Sequence, residues 1–242
     1  MSGELIYGRN AVLEAARAGR LLRALVADGV GHDPRLEELA RLVPVERVSA
    51  QRLEELARGR HQGVAGELKG RRFLGLRELL ATGPTLLVAL DSILDPQNLG
   101  AILRSAEAAG SDGVILPERR SAPLSPAAVK ASSGASELLP LCRVPGLPSA
   151  VAEIKRAGLW CCALDMAGEM APWEFDLTQP VCLVVGGEGQ GVGRLVRARC
   201  DVRLRLPMRG RVDSLNASAA AAAMLYEVVR QRSRAGDRPA GS

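Results

Sequence analysis

Histidine is nearly absent from this chain, with only His32 and His61 among 242 residues. No Ser-His-Asp arrangement, His-rich cluster or Cys-pair metal set can be assembled from what is present, which disfavours hydrolase, zinc and redox chemistry. The five cysteines, an odd number without paired metal spacing, fit a reducing compartment. Cys161 and Cys162 sit inside an apolar run, as core residues do. Lysine is scarce as well, three against 29 arginines; base composition of the genome accounts for part of that bias, so it carries little weight as a phosphate signal. No stretch of about 18 consecutive apolar residues occurs, and the opening MSGELIYGRN lacks the basic-then-apolar pattern of a secretory signal. A cytoplasmic protein with no membrane partner is expected.

What is present suits a soluble chain: 47% hydrophobic and 24% charged residues, long enough for one large or two small domains. Residues 1–68 read as a small α/β unit, with helices over 10–18, 34–42 and 49–57 and strands over 21–27, 45–48 and 63–66. They carry no obvious chemical constellation, which suggests binding or docking. His61, in a Gly/Arg/Gln loop, reads as a solvated residue before it reads as a phosphate contact. Residues 69–84 mix charge, glycine and a short helix and end in Gly83-Pro84, a linker by composition. From residue 85 to 232 strands and helices alternate, which predicts a mostly parallel sheet covered on both faces. In such sheets ligands bind at the carboxyl ends of the strands. Residues 233–242 have little to bury and are expected to be disordered.

The chain is organised around residues 180–226. A short apolar strand over 181–185 empties into the loop Gly186-Gly187-Glu188-Gly189-Gln190-Gly191-Val192-Gly193, and a second strand stops at Pro207. An Arg/Gly/Ser loop then runs through Ser214-Leu215-Asn216-Ala217-Ser218 into five alanines, a polar cap before a strong helix former. Two strand ends and a helix start therefore converge, with backbone polar groups to spare. Neither the G-x-G-x-x-G spacing nor a Gly-Lys-Ser/Thr is present, which excludes dinucleotide and Walker loops. Residues 194–211 hold seven arginines against one aspartate, so an anionic partner is expected beside the glycine loop. Farther upstream, Asp95-Pro96 makes a good helix cap. Asn98 and Arg104 fall on different sides of a regular helix; both reach the strand-end crevice if that helix begins near Leu99. Glu188 is as well suited to bracing its turn as to chemistry.

Three blocks together resemble one family: Asp91-Ser92-Ile93-Leu94-Asp95-Pro96-Gln97-Asn98-Leu99-Gly100-Ala101-Ile102-Leu103-Arg104, Leu183-Val184-Val185-Gly186-Gly187-Glu188-Gly189-Gln190-Gly191, and Leu206-Pro207-Met208-Arg209-Gly210-Arg211-Val212-Asp213-Ser214-Leu215-Asn216-Ala217-Ser218. Their order and spacing resemble the SpoU (TrmH) family of RNA ribose 2′-O-methyltransferases of the SPOUT superfamily. Ile6-Tyr7-Gly8-Arg9-Asn10-Ala11-Val12-Leu13-Glu14-Ala15 and Gln62-Gly63-Val64 are similar to the small RNA-binding domain of its RlmB-like branch, which methylates a guanosine in the peptidyl-transferase region of 23S rRNA.

That resemblance implies a fold that pattern alone does not give: an α/β, mostly parallel sheet whose C-terminal segment threads a trefoil knot, a rare topology, preceded by a small α/β RNA-binding domain. It implies a homodimer, S-adenosyl-L-methionine as cofactor, RNA and not DNA as partner, and no metal. Asn98, Arg104, Glu188 and Asn216 would be the catalytic set. The cofactor would lie against Gly186, Gly187, Leu164, Leu206, Met208, Ser214 and Leu215. A relative acting on tRNA or another rRNA site, or a non-catalytic RNA-binding protein of this fold, are the other readings.

Overall fold

A computed structural model describes residues 5–17, 19–56, 61–69, 73–189 and 191–236. It divides into two compact units, residues 1–72 and 73–242. In the first, β1 (Leu5–Tyr7), α1 (Arg9–Arg17), β2 (Leu21–Ala27), α2 (Pro34–Leu42), β3 (Val45–Val48), α3 (Ala50–Leu56) and β4 (Val64–Leu68) follow in order. The strands form one mixed sheet, β1-β4-β2-β3, in which only β2 and β3 run parallel. Val12, Leu13 and Ala16 of α1 with Leu39 of α2 pack on one side of the sheet, and Leu53 of α3 packs on the other.

The two N-terminal stretches that carry the resemblance meet in this unit. The Arg9 guanidinium donates to the Gln62 carbonyl (3.1 Å) and to the Asp33 carboxylate (2.7 Å), and the Arg9 amide donates to the Gln62 side chain. Asp33 caps α2 and also accepts from Arg35. Arg35 and Arg9 hold its carboxyl well below the usual carboxylate range. His61 is not the solvated residue expected: Nδ1 accepts the Gly63 N–H at 3.1 Å and Nε2 lies 2.8 Å from Glu54. It braces the turn into β4.

The second unit begins earlier than composition suggests. The expected linker over 69–84 is packed from residue 73: the Leu74 amide bonds the Leu141 carbonyl at 2.8 Å, and Leu79 of the short helix α4 (Leu76–Leu80) is fully buried. The alternation then runs β5 (Leu86–Asp91), α5 (Pro96–Ala108), β6 (Gly113–Pro117), α6 (Pro126–Ala131), α7 (Ala135–Leu138), β7 (Leu141–Val144), α8 (Leu147–Arg156), β8 (Trp160–Leu164), a 3-10 turn (Pro172–Glu174), β9 (Val181–Gly186), α9 (Arg194–Arg197), β10 (Val202–Leu204) and α10 (Ala217–Gly236). β7 went unforeseen because Pro140 and Pro145 bracket a four-residue run too short to stand out.

The six strands β5 to β10 form one sheet in the order β10-β8-β9-β5-β6-β7, every pair parallel. Side chains alternate across it. Leu86, Val88 and Leu90 join Leu99, Ile102 and Leu103 of α5 and Met224, Leu225 and Val228 of α10 on one face. Leu87 and Ala89 join Val151 and Ile154 of α8 and Leu79 of α4 on the other. Two-sided burial explains why β5 and β9 read as continuous apolar runs.

α5 shows the helical spacing that its burial demands, with Leu99, Ile102, Leu103 and Ala106 on one side. Its Gly100 admits the Ala128 carbonyl of α6 so closely that any Cβ would overlap it. Four of the five free cysteines are buried, and desolvation pushes the Cys142 thiol up to about 11, removing it from thiolate chemistry near neutrality. α10 runs past the expected end at 232. Gln231 holds the Pro172 and Phe175 carbonyls and the Leu177 amide, and Arg232 holds the Thr85 carbonyl. The tail expected from 233 is therefore helical to Gly236, and its remainder lies outside the described residues. Among the described residues no helix is long and apolar enough to cross a membrane.

Candidate active site

Along the carboxyl edge of the parallel sheet, the ends of β8, β9 and β10 and the start of α10 enclose a cavity of about 620 Å³. A volume of that size suits a cofactor. Leu164, Val185, Leu206, Leu215, Ala217 and Ala220 supply apolar wall, and Asp165, Glu188 and Asp213 supply carboxylates. Gly186, Gly187, Met208, Ser214 and Asn216 complete the lining named from sequence. Asp165, next to β8, is fixed by Arg197 of α9 at 3.1 Å. Among the described residues, the N–H groups of Leu206, Met208 and Leu215 meet no protein acceptor, which leaves them for a ligand or water.

The glycine loop closes tightly at the end of β9. The Gly191 amide bonds the Gly187 carbonyl at 3.0 Å, and Gly189 and Gly191 adopt φ of +82° and +59°, values open mainly to glycine. Gly186 lies against the Gly191 carbonyl and Gly187 against the Ser92 carbonyl, with no room for a Cβ at either. Asp91, the last residue of β5, ties both ends of this loop: its carbonyl accepts from Gly187 (2.9 Å) and its carboxylate from Gly193 (2.8 Å). Sequence reasoning passed over Asp91, and also the cavity residues Asp165 and Asp213. An acid terminating or following a buried strand was the available signal.

Glu188 and Asn216 of the cavity lining interlock with Asn98, which stands just outside that lining, so that side chains from the three sequence blocks meet. Asn98 donates from Nδ2 to Glu188 Oε1 (2.9 Å), and Asn216 donates from Nδ2 both to the same oxygen (2.6 Å) and to Asn98 Oδ1 (2.9 Å). Asn98 stands in the first turn of α5, its amide capped by Asp95 at 2.9 Å. Asn216 also caps α10, its Oδ1 accepting from the Ser218 amide at 2.9 Å. Two helix starts and one strand end thus fix the trio, and both amides converge on one Glu188 oxygen. Arg104 does not join them. α5 begins at Pro96 and not near Leu99, which leaves Arg104 inside the regular helix, exposed, outside the cavity lining and unpartnered among the described residues.

Residues 85–226 match the SpoU rRNA Methylase family, and residues 5–74 match a domain described as RNA 2′-O ribose methyltransferase substrate binding. The chain is 40% identical over 241 residues to the 23S rRNA (guanosine-2′-O-)-methyltransferase RlmB of Pseudomonas aeruginosa, covering 95% of this chain and 97% of that one. Among solved structures it is similar to the SpoU methyltransferase AviRb from Streptomyces viridochromogenes in complex with AdoMet, with TM-score 0.75 and 29% identity over 96% of this chain and 91% of that one. The AdoMet-bound rRNA methyltransferase from Sinorhizobium meliloti is similar at TM-score 0.72 and 28% identity, over 95% and 87% of the respective chains. With one family matched over more than half its length, and full-length relatives carrying the same chemistry, the chain belongs to the SpoU rRNA methylase family.

Proposed function

We propose that the protein transfers a methyl group from S-adenosyl-L-methionine to the ribose 2′-hydroxyl of a guanosine in 23S rRNA. The observation that carries this reading is the interlocked trio Asn98, Glu188 and Asn216 at the mouth of the cofactor-sized cavity. The cavity fits the cofactor: apolar walls at Leu164, Leu206 and Leu215 suit an adenine, open N–H groups suit its polar edge, and the carboxylates of Asp165, Glu188 and Asp213 suit cationic centres. Gly186, Gly187, Met208 and Ser214 would complete the binding wall. When bound, the cofactor supplies a methyl group already activated on sulfur.

What remains for the protein is geometry and charge. Holding a hydroxyl in attack position contributes roughly 7–11 kcal/mol of barrier reduction. Asn98 and Asn216, fixed by their helices and by Glu188, would orient the target nucleotide. Arg104 would grip the adjacent phosphate and stabilise negative charge developing on the 2′-oxygen. Its guanidinium does not deprotonate, so it does not act as a base; the proton of the 2′-hydroxyl would pass to water as the new oxygen–methyl bond forms.

Arg104 lies outside the cavity lining of its own chain. We read this as an active site completed in a homodimer, with the arginine supplied by a second copy. The same reading takes residues 1–72 as the RNA-docking unit and the unit from residue 73 as catalytic, with its C-terminal segment knotted, and the whole in the cytoplasm. Family membership and the loop from β10 to α10, which lines the cavity before α10 packs beside α5, support the knot.

Labelled donor incubated with separated rRNA and tRNA, followed by mapping of the modified ribose, tests the function. Incorporation into one 23S guanosine is expected, and label on tRNA alone, or none, overturns it. Asp91→Ala tests the loop anchor. Losing a hydrogen bond to a charged acceptor removes about 1.5–3 kcal/mol, so donor affinity should fall about tenfold or more. Asp91→Asn, which keeps an acceptor for Gly193, should recover most of it; equal loss in both variants would contradict the anchoring role.

A further inference from the structure

We propose that the loop from β6 to α6, residues 118–125, is a docking platform for the phosphates that flank the target nucleotide, with Arg119 and Arg120 as its contacts. The inference rests on the RNA methyltransferase reading and assigns a part of the surface to the substrate backbone. β5 pairs with β9 on one side and β6 on the other. All three strands are parallel, so their carboxyl ends share one edge. The cavity occupies the β9 side of the catalytic turn, residues 92–98; the arginine loop occupies the β6 side.

The loop is fixed to that turn. The Ala122 amide bonds the Ile93 carbonyl at 2.7 Å, and the Glu118 amide bonds the Val144 carbonyl at 2.9 Å. Arg120, two residues before Ala122, has φ +57°, and Ser92, one residue before Ile93, has φ +58°. Two non-glycine residues thus hold a left-handed backbone at the ends of adjacent strands, a conformation that a Cβ disfavours and that gathers at binding sites.

Both arginines are exposed, and among the described residues neither has an acceptor. Some arginines of this unit are committed, Arg197 to Asp165, Arg199 to the Pro148 carbonyl and Arg203 to Glu169; Arg119 and Arg120 are adjacent and stand on a loop tied to the turn after β5. A pair of uncommitted guanidinium forks on a rigid loop matches phosphate oxygens, which fix the register of a nucleic acid without reading its bases.

The test compares the wild type with Arg119→Gln/Arg120→Gln, with the charge-keeping Lys pair, and with Arg156→Ala. Arg156 closes α8 at the opposite edge of the sheet, where that helix leads into β8. Binding of an rRNA fragment is titrated against salt, and donor affinity is measured separately by calorimetry. The Gln pair should bind RNA about tenfold more weakly, with the slope of log affinity against log salt reduced by about 1.4, roughly 0.7 for each single-strand phosphate lost. Donor affinity should stay unchanged, the Lys pair should recover the slope, and Arg156→Ala should match the wild type. An unaltered slope in the Gln pair, or an equal loss in Arg156→Ala, overturns the platform. RNA binding is read without turnover, so a wild type that binds RNA yet transfers no methyl group sinks the activity and leaves the platform standing.

Discussion

Arg104→Ala is expected to lower methyl transfer at least about 10²-fold, the scale seen when a preorganised donor to a developing oxyanion is removed, while donor affinity stays within about twofold. The separation follows from the proposed role. Arg104, outside the cavity lining of its own chain and supplied to the site by the second copy, would hold the RNA phosphate and the developing charge and not the donor. It therefore contributes to the transition state and not to cofactor binding. Arg104→Lys should recover only part of the rate, because an ammonium keeps the charge but not the planar fork that takes two phosphate oxygens. Turnover of labelled donor on rRNA measures the first effect and calorimetry the second. A collapse of donor affinity in the Ala variant would contradict the role.

Gly186→Ala is expected to be as damaging by the opposite route. A methyl group there would overlap the Gly191 carbonyl carbon and the Val192 amide nitrogen. Both are backbone atoms, with no flexible side chain to swing aside. The turn closed by the Gly191 to Gly187 bond must open, and Glu188 leaves the oxygen position on which Asn98 and Asn216 converge. Donor affinity should fall about 100-fold, near 2.7 kcal/mol. Far-UV circular dichroism should stay near native, because the strand interior is untouched. Native donor affinity in this variant would mean that the loop conformation described for Gly186–Gly191 does not govern the cavity.

The alternation of strands and helices after residue 85 was legible because two-sided burial leaves apolar runs that solvent-facing strands lack. The convergence of residues 186–188 and 206–216 was legible for a related reason: chain that ends a buried strand has little choice of side of the sheet. The hydrogen bonds that close the trio were not. Asn98, Glu188 and Asn216 lie up to 118 positions apart, and nothing in a linear pattern registers which polar groups across such a gap face one another. Asp95 and Pro96 announce the start of α5, but a helical pattern does not say what an exposed side chain such as Arg104 meets beyond its own helix. The boundary near residue 73 escaped because glycine and charged residues interleave the apolar ones there, and the packing of Leu74 and Leu79 depends on β7 and the sheet beside it.

Asn216 answers to two masters at once, and that narrows what evolution can write there. Serine, threonine, aspartate and asparagine all cap helices well, so a cap alone would tolerate drift among four residues. Here the same side chain must also donate hydrogen bonds to Glu188 and Asn98. Aspartate would set a second negative charge against Glu188, and a hydroxyl is too short to serve two sites. Only a carboxamide carries an acceptor for the helix on one arm and a donor for the trio on the other, so the start of the last helix and the reactive centre share a single permitted letter.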